Sequence, residues 1–400
     1  MSLPSLRFKE FEGNDWELKR LDSFLEKASY PVKVESNELY REIGIRSHGK
    51  GIFHKDPIKG SDIGNKRVFW VQPEALVLNI VFAWEQALAV TSDAERGFIA
   101  SHRFPMYTPK ANNCYTQFLK YLFLTKKGKS YLELASPGGA GRNKTLGQKN
   151  FDELIVRLPS LKEQAKIANF LMAVDKKIGQ LTQKYELLAQ YKKGVLQQVF
   201  SQKVRFKDDN GQNYSDWENY PLNDVLVKNS SKNRNCEFTL VQSVTNKHGF
   251  INQDELFEGR VIASKDLSNY YIIKKGAFAY NPSRIDVGSL AYKGDDLISV
   301  VSPLYVSFYA KPNLIVDRFL LNWFTSQNFK TQMNSSFEGS VRNTLSYDAL
   351  SKIIVSLPCL EEQTKISDLL SVIEDKLTHT QIQLAAAKQY KQGLLQQMFV

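Results

Sequence analysis

The run SPGGAGRNKTLG, Ser136 to Gly147, has the residue types of a phosphate-binding loop, with glycines leading into a Lys-Thr pair. Such a loop needs Gly, four residues, then Gly-Lys-Ser/Thr, so that backbone amides surround phosphate beside the lysine. Counted from Gly138, the second glycine falls on Asn143 and the frame fails. Counted from Gly44, Gly49 and Lys50 fit, but Gly51 stands where a hydroxyl would hold Mg2+. Nucleotide hydrolysis is not expected. An amino-methyltransferase would carry a glycine-rich cofactor loop and an Asn/Asp-Pro-Pro-Tyr/Phe motif. YNPSRID, Tyr280 to Asp286, offers Asn281-Pro282, but Ser283 and Arg284 replace the second proline and the aromatic. A metal nuclease needs clustered acids with a lysine. DSFLEK, Asp22 to Lys27, has the letters but reads as a helix face, and the five histidines are dispersed. No catalytic residue, metal site or cofactor is expected in this chain.

The bulk properties point elsewhere. The 400 residues suffice for two or three domains, and 42% hydrophobic with 24% charged residues is ordinary for a globular protein. A net charge of +11 favours a polyanionic partner, nucleic acid first. Cys114, Cys236 and Cys359 are odd in number and far apart, so neither a disulfide framework nor a zinc site is expected, and a reducing cytoplasm is the natural compartment. The most apolar run, Ala75 to Val90, is interrupted by Asn79, Glu85 and Gln86; it reads as core rather than a membrane span.

The chain contains an internal repeat. LPSLKEQAKIANFL, from Leu158, recurs as LPCLEEQTKISDLL, from Leu357, and QYKKGVLQQVF recurs as QYKQGLLQQMF at the same offset. The segments ahead of the bodies echo each other more loosely: Leu6 to Leu21 and Val204 to Leu222 share Arg-Phe-Lys and Asp-Trp-Glu. The two bodies share little sequence. Both repeats read as helices of about 40 residues and ~60 Å. Ser160 with Glu163 makes a capping-box pattern at the first start, with Cys359 at the weaker equivalent. A heptad seam follows: Ile167, Leu171, Val174, Ile178, Leu181, Tyr185, Leu188, Lys192, Val195 and Val199, matched from Ile366 to Met398 with Lys391 in place of Lys192. The expected fold is α+β, with two globular domains joined by two long antiparallel coiled-coil helices in a pseudo-two-fold repeat. Domains are expected at 1–157 and 201–356, spacer helices at 158–200 and 357–400.

The doubled LPxLxEQxKI frame, the heptad helices and the dissimilar bodies together resemble the specificity subunit of type I restriction-modification enzymes. The resemblance covers essentially the whole chain. It implies that each body is a target-recognition domain reading one half of a bipartite site in double-stranded DNA. It also implies that the helices act as a spacer, that two methyltransferase subunits dock on the repeated regions, and that restriction subunits join through them. S-adenosylmethionine, ATP and Mg2+ would be used by those partners, not by this chain. The identical polar pairs Glu163/Glu362, Gln164/Gln363, Gln197/Gln396 and Gln198/Gln397 are the candidates for docking.

Base edges are read by Arg, Lys, Asn, Gln, Ser and Thr on exposed loops, with Lys and Arg on phosphate beside them. In the first body the densest basic run is Arg41 to Arg67, with Arg46, Ser47, His48, Lys50, His54 and Lys55 as candidates; His102 and Arg103 form a second group. In the second body the candidates are Lys232 and Arg234, Asn246 and Lys247, and Asn281, Ser283 and Arg284. The opening loop belongs here too. Arg142-Asn143-Lys144 precedes Thr145-Leu146 as Arg342-Asn343 precedes Thr344-Leu345, and this fits either contact with DNA phosphate or a structural turn shared by both frames.

Overall fold

The computed structural model describes residues 4–138, 144–246, 248–256, 264, 266–338 and 343–399. The chain forms two compact units, Met1–Gln183 with Gln381–Val400, and Lys184–Thr380. Both boundaries fall inside long helices, so each unit contains one body and half of each helix.

In the first unit, β1 (Glu17–Arg20) pairs antiparallel with β6 (Ile155–Leu158), setting Glu17 opposite Leu158. A four-stranded antiparallel sheet follows the order β2 (Leu25–Ala28), β5 (Met106–Pro109), β3 (Leu76–Leu78), β4 (Leu88–Val90). The apolar run from Ala75 thus supplies two core strands, not a span. DSFLEK is only one helical turn, Leu21–Phe24, before β2 begins. Helices α1 (Thr116–Leu124) and α2 (Lys126–Leu134) meet at a tight corner where the Thr125 hydroxyl accepts from the Gly128 amide at 2.9 Å. Glycine is required there, since a Cβ would lie 2.0 Å from the Leu122 carbonyl oxygen. Phe118, Leu122 and Phe123 of α1 pack with Leu76, Leu78 and with Phe151 of α3 (Gln148–Asp152). The core is completed by Ile167 and Leu171 of α4 (Leu161–Phe200) and by Leu394, Met398 and Phe399.

The second unit repeats this plan in different letters. β7 (Glu218–Pro221) pairs with β12 (Ile354–Leu357), with Glu218 opposite Leu357. The sheet order is β8 (Leu226–Lys228), β11 (Val306–Ala310), β9 (Ala277–Tyr280), β10 (Leu290–Tyr292), the same sequence of neighbours as in the first unit. Helices α5 (Asp317–Trp323), α6 (Gln327–Ser335) and α7 (Tyr347–Ser351) correspond to α1–α3. Val199 and Phe200 join this core beside Ile366 and Leu370 of α8 (Leu360–Gln397).

All twenty seam positions are buried or half-buried, as the heptad spacing requires. Within each unit the helix halves run antiparallel. The first unit pairs Lys391 with Asp175 at 2.6 Å, and the second pairs Lys192 with Glu374. The polar residue in each seam therefore finds a carboxylate on the facing helix. In the first unit the Tyr121 hydroxyl also donates to Asp175, at 2.8 Å, and Lys120 lies 4.3 Å from the Tyr121 ring centroid. Burial pulls the Lys120 ammonium down to about 8; Asp175 opposes this and Lys391 adds to it.

The start of each long helix differs from a capping box. Ser160 Oγ accepts from the Glu163 amide at 3.4 Å, but the Glu163 carboxylate does not return to Ser160. It takes Arg7 Nε and Nη2, both at 2.7 Å, and Trp16 Nε1 at 3.4 Å. Glu362 is bound likewise by Arg205 Nη2 at 2.7 Å, Trp217 Nε1 at 3.3 Å and the Phe206 amide at 3.2 Å. Next to each, a glutamine caps a body helix: Gln164 Oε1 accepts from the Tyr115 amide at 3.0 Å, and Gln363 Oε1 from the Val316 amide at 2.8 Å. Their Nε2 groups donate to Pro159 and Pro358, each at 2.9 Å.

Glu163→Ala is expected to destabilise by about 3–5 kcal/mol, because it leaves a buried guanidinium unpaired. Urea unfolding that moves by less than the cost of an ordinary surface substitution would contradict this. Lys120→Met is expected to raise the melting temperature at pH 7. Burial lowers the folded ammonium from the ordinary 10.5 to about 8, so wild-type stability rises with pH across that window and the advantage of the variant shrinks. Melts at pH 7 and pH 10 check the sign, and a larger advantage at pH 10 would contradict it.

Candidate nucleic-acid interface

In the first body a cleft of about 500 Å3 is lined by Glu42, Lys55, Lys66, Asn79, His102 and Arg103, with Phe82 and Phe104. Hairpin register brings the first two together. Strand Ile43–Ile45 pairs with Ile52–His54, so Glu42 and Lys55 sit at adjoining ends. The Lys55 amide donates to the Glu42 carbonyl at 2.9 Å and its ammonium to Glu42 Oε2 at 2.8 Å. His102 and Arg103 follow strand Ile99–Ser101. The His102 amide donates to Arg67 and the Arg103 carbonyl accepts from Ile80, both at 3.0 Å. Of the residues expected from sequence, Lys55, His102 and Arg103 therefore converge. Glu42 and Lys66 lie in the basic run Arg41 to Arg67 without standing among its candidates, and Asn79 lies outside it.

The tip of the same hairpin carries the other candidates. Backbone bonds from His48 to Glu85 at 2.7 Å and from Gly49 to Gln86 at 2.9 Å pin it to the body. His48 takes φ +60° there. Arg46, His48 and Lys50 are exposed; the Arg46 guanidinium lies 4.7 Å from the Phe53 ring centroid. The Ser47 hydroxyl is engaged with Glu85 Oε2 at 3.0 Å. His54 is engaged too, at 2.8 Å from Glu95 and against the Phe98 ring. Burial pushes the Glu95 carboxyl up, but hydrogen bonds from His54 and Ser92 outweigh it and hold the group below the usual carboxylate range. These contacts fix the His54 ring against the body while leaving it partly exposed.

In the second body, Asn246 and the NPSR loop come together, since Asn246 Nδ2 donates to the Val287 carbonyl at 3.0 Å. Asn281 Oδ1 accepts from the Ser283 amide at 3.1 Å, which fixes a turn that leaves Ser283 and Arg284 exposed. Lys232 is tied elsewhere, to the Asn269 carbonyl at 2.7 Å and the Tyr271 ring, with Arg234 exposed beyond it. Arg142, Asn143, Lys247 and Arg342 lie outside the described residues.

The far end of the opening loop packs into the body in both halves. Leu146 and Leu345 are buried, and their amides donate to Ile80 at 2.8 Å and to Pro282 at 3.1 Å. That end is anchored to the body by a backbone hydrogen bond in each frame. It leaves Lys144 half-buried, 5.6 Å from the Trp84 ring centroid, and Asn343 exposed. The docking candidates divide. Glu163, Gln164, Glu362 and Gln363 are at most 2% exposed and bound within their own units, so they present no surface to a partner. Gln197, Gln198, Gln396 and Gln397 are exposed. Cys114, Cys236 and Cys359 are all free. Among the described residues there is no group of three or more His, Cys, Asp or Glu placed to hold a metal ion, and no helix long and apolar enough to cross a membrane.

Two bodies of one topology, each offering basic and amide side chains on loops over a duplicated frame, define a class of protein with paired recognition modules. Comparison with known proteins gives that class its family. The model of the type I restriction modification DNA specificity domain matches twice, over residues 14–190 and 214–386. The chain is 25% identical over 397 residues to the type I restriction enzyme MjaVIII specificity subunit of Methanocaldococcus jannaschii, covering 92% of this chain and 89% of that one. It is 27% identical over 199 residues to the HindI specificity subunit of Haemophilus influenzae, covering 46% and 41%. The crystal structure of the type I restriction-modification S subunit from M. genitalium shares the fold, with a TM-score of 0.61 over 100% of this chain and 99% of that one at 15% identity. The chain belongs to the type I restriction-modification specificity subunit family and carries two DNA specificity domains.

Arg46→Ala and Arg284→Ala are each expected to weaken recognition of a different half-site, by about 1–3 kcal/mol where a bidentate base contact is lost. Binding to duplexes altered in one half at a time checks this; equal losses on both halves would assign these arginines to general electrostatics.

Proposed function

We propose that each body reads one half of a bipartite, gapped site in double-stranded DNA, and that the two long helices set the gap and dock two copies of a methyltransferase subunit. Restriction subunits join through those partners. The chain itself is non-catalytic; S-adenosylmethionine, ATP and Mg2+ belong to the partners. One observation carries the reading: two bodies of matching topology display different side chains over a frame whose Glu-Arg-Trp cluster and Gln cap are made twice. A frame held constant under two unlike reading heads is what independent half-site recognition needs.

A second observation supports docking in two copies. Gln190, Tyr191, Gln197 and Gln198 are exposed on α4, and their identical counterparts Gln389, Tyr390, Gln396 and Gln397 are exposed on α8. Their spacing puts them with Gly194 or Gly393 along one helix face. Apart from the adjacent backbone of its own helix, neither glycine has a neighbouring atom within 4 Å of the place a Cβ would take, among the described residues. A mid-helix glycine costs roughly 1 kcal/mol relative to alanine, and here no intramolecular contact requires it. Close approach of the same partner surface at both places accounts for the identity.

Mapping methylated adenine across the host genome, with this chain present and deleted, tests the reading. A gapped two-part motif is expected to vanish on deletion. Removing one heptad from both helices is expected to change the gap or abolish assembly, and an unaltered gap in that variant would contradict the spacer role.

A further inference from the structure

The Glu42–Lys55 pair is placed oddly for a structural ion pair. It lines the cleft of the first body, and it couples a side chain only 9% exposed to one that is 45% exposed. Glu42 Oε2 accepts from Lys55, while Oε1 takes no hydrogen bond among the described residues. A carboxylate oxygen so placed, in a chain that approaches polyanionic DNA, is repelled by phosphate. Lys55 offsets that repulsion through Oε2, and a base amino group would satisfy Oε1 as well.

The second body makes the comparison. The Glu42–Ile99 and Val241–Val300 bridges are both parallel, and Ile99 donates to Arg41 as Val300 donates to Leu240, at 2.9 and 2.8 Å. Lys55 donates to the Glu42 carbonyl as Gln253 donates to that of Val241, at 2.9 and 3.1 Å. The backbones are thus equivalent, and Glu42 and Lys55 occupy the places of Val241 and Gln253. The frame does not need the ion pair.

We infer that Glu42 and Lys55 read one C·G base pair of the first half-site from the major groove, Glu42 Oε1 accepting from cytosine N4 and Lys55 donating to guanine O6 or N7. In the major groove, C·G sets one amino donor beside two acceptors, the complement of an adjoining carboxylate and ammonium. A reversed pair would put guanine O6 against Oε1, acceptor against acceptor, with the carboxylate desolvated and unpaired. Lys66 and Arg103 on the same cleft supply positive charge for flanking phosphates. The second half-site, facing Val241 and Gln253, is read without this pair. The inference rests on the half-site reading above and adds the base-pair chemistry.

The test is the adenine-methylation motif of the complete complex in its host, for the wild type, Glu42→Gln and Lys55→Met. Both variants are expected to turn the same C·G position degenerate in one half-site and to leave the other half intact. Relaxation of an A·T pair, relaxation at different positions in the two variants, or no relaxation would each overturn the assignment. Should a variant abolish methylation altogether, the wild-type complex is measured on duplexes in which each cytosine of the motif in turn is replaced by 2-pyrimidinone, which lacks the 4-amino group. Binding about tenfold to a hundredfold weaker at one cytosine is expected; equal binding at every position overturns the inference. Absence of any chain-dependent two-part motif would instead defeat the half-site reading itself.

Discussion

A buried carboxylate in the first turn of each long helix organises the rest of the molecule. Glu163 and Glu362 stand where the backbone amides of a helix start favour negative charge. Each gathers an arginine and an indole from the segment ahead of its body. The glutamine one position later caps a body helix through its carbonyl oxygen and holds the preceding Pro carbonyl through its amide. The entry segment, a body helix and the start of the long helix, distant in sequence, therefore meet at two adjacent side chains. Removing the arginine of either pair strands a buried carboxylate, and the cost is expected in both halves.

Much of the fold was legible because the frame is repeated and periodic. The heptad positions, Lys192 and Lys391 included, could be counted, and burial follows the count. The body strands could not be read in the same way. Most are three or four residues long, too short for alternation to separate strand from loop. Their shared topology needs only apolar residues at matching depths, so Leu76-Val-Leu in one body and Ala277-Phe-Ala-Tyr in the other fill the same strand without any likeness in sequence.

The site was less legible, for two physical reasons. Letters do not reveal exposure: Glu163 and Gln164 were expected at a partner surface because they recur, yet they recur because the interior needs them. A cleft, moreover, is built by register. Glu42 and Lys55 adjoin through one hairpin, while Arg103 and Asn79 arrive on other strands, and no sequence window contains all four. Basic density located the neighbourhood but could not separate His54 from Lys55: each is held by a glutamate, and only Lys55 lines the cleft.

The division of the long helices has a consequence for how the protein is made. The core around Trp16 and Phe118 closes on Leu394, Met398 and Phe399. The first unit to leave the ribosome must therefore wait, its apolar surface open, until residues nearly a whole chain later have been synthesised. Contacts of such sequence separation close slowly, and nascent chains holding open surface are exposed to aggregation. Quality control during translation bears on the amino-terminal half of this protein far longer than a reading of separate domains would suggest.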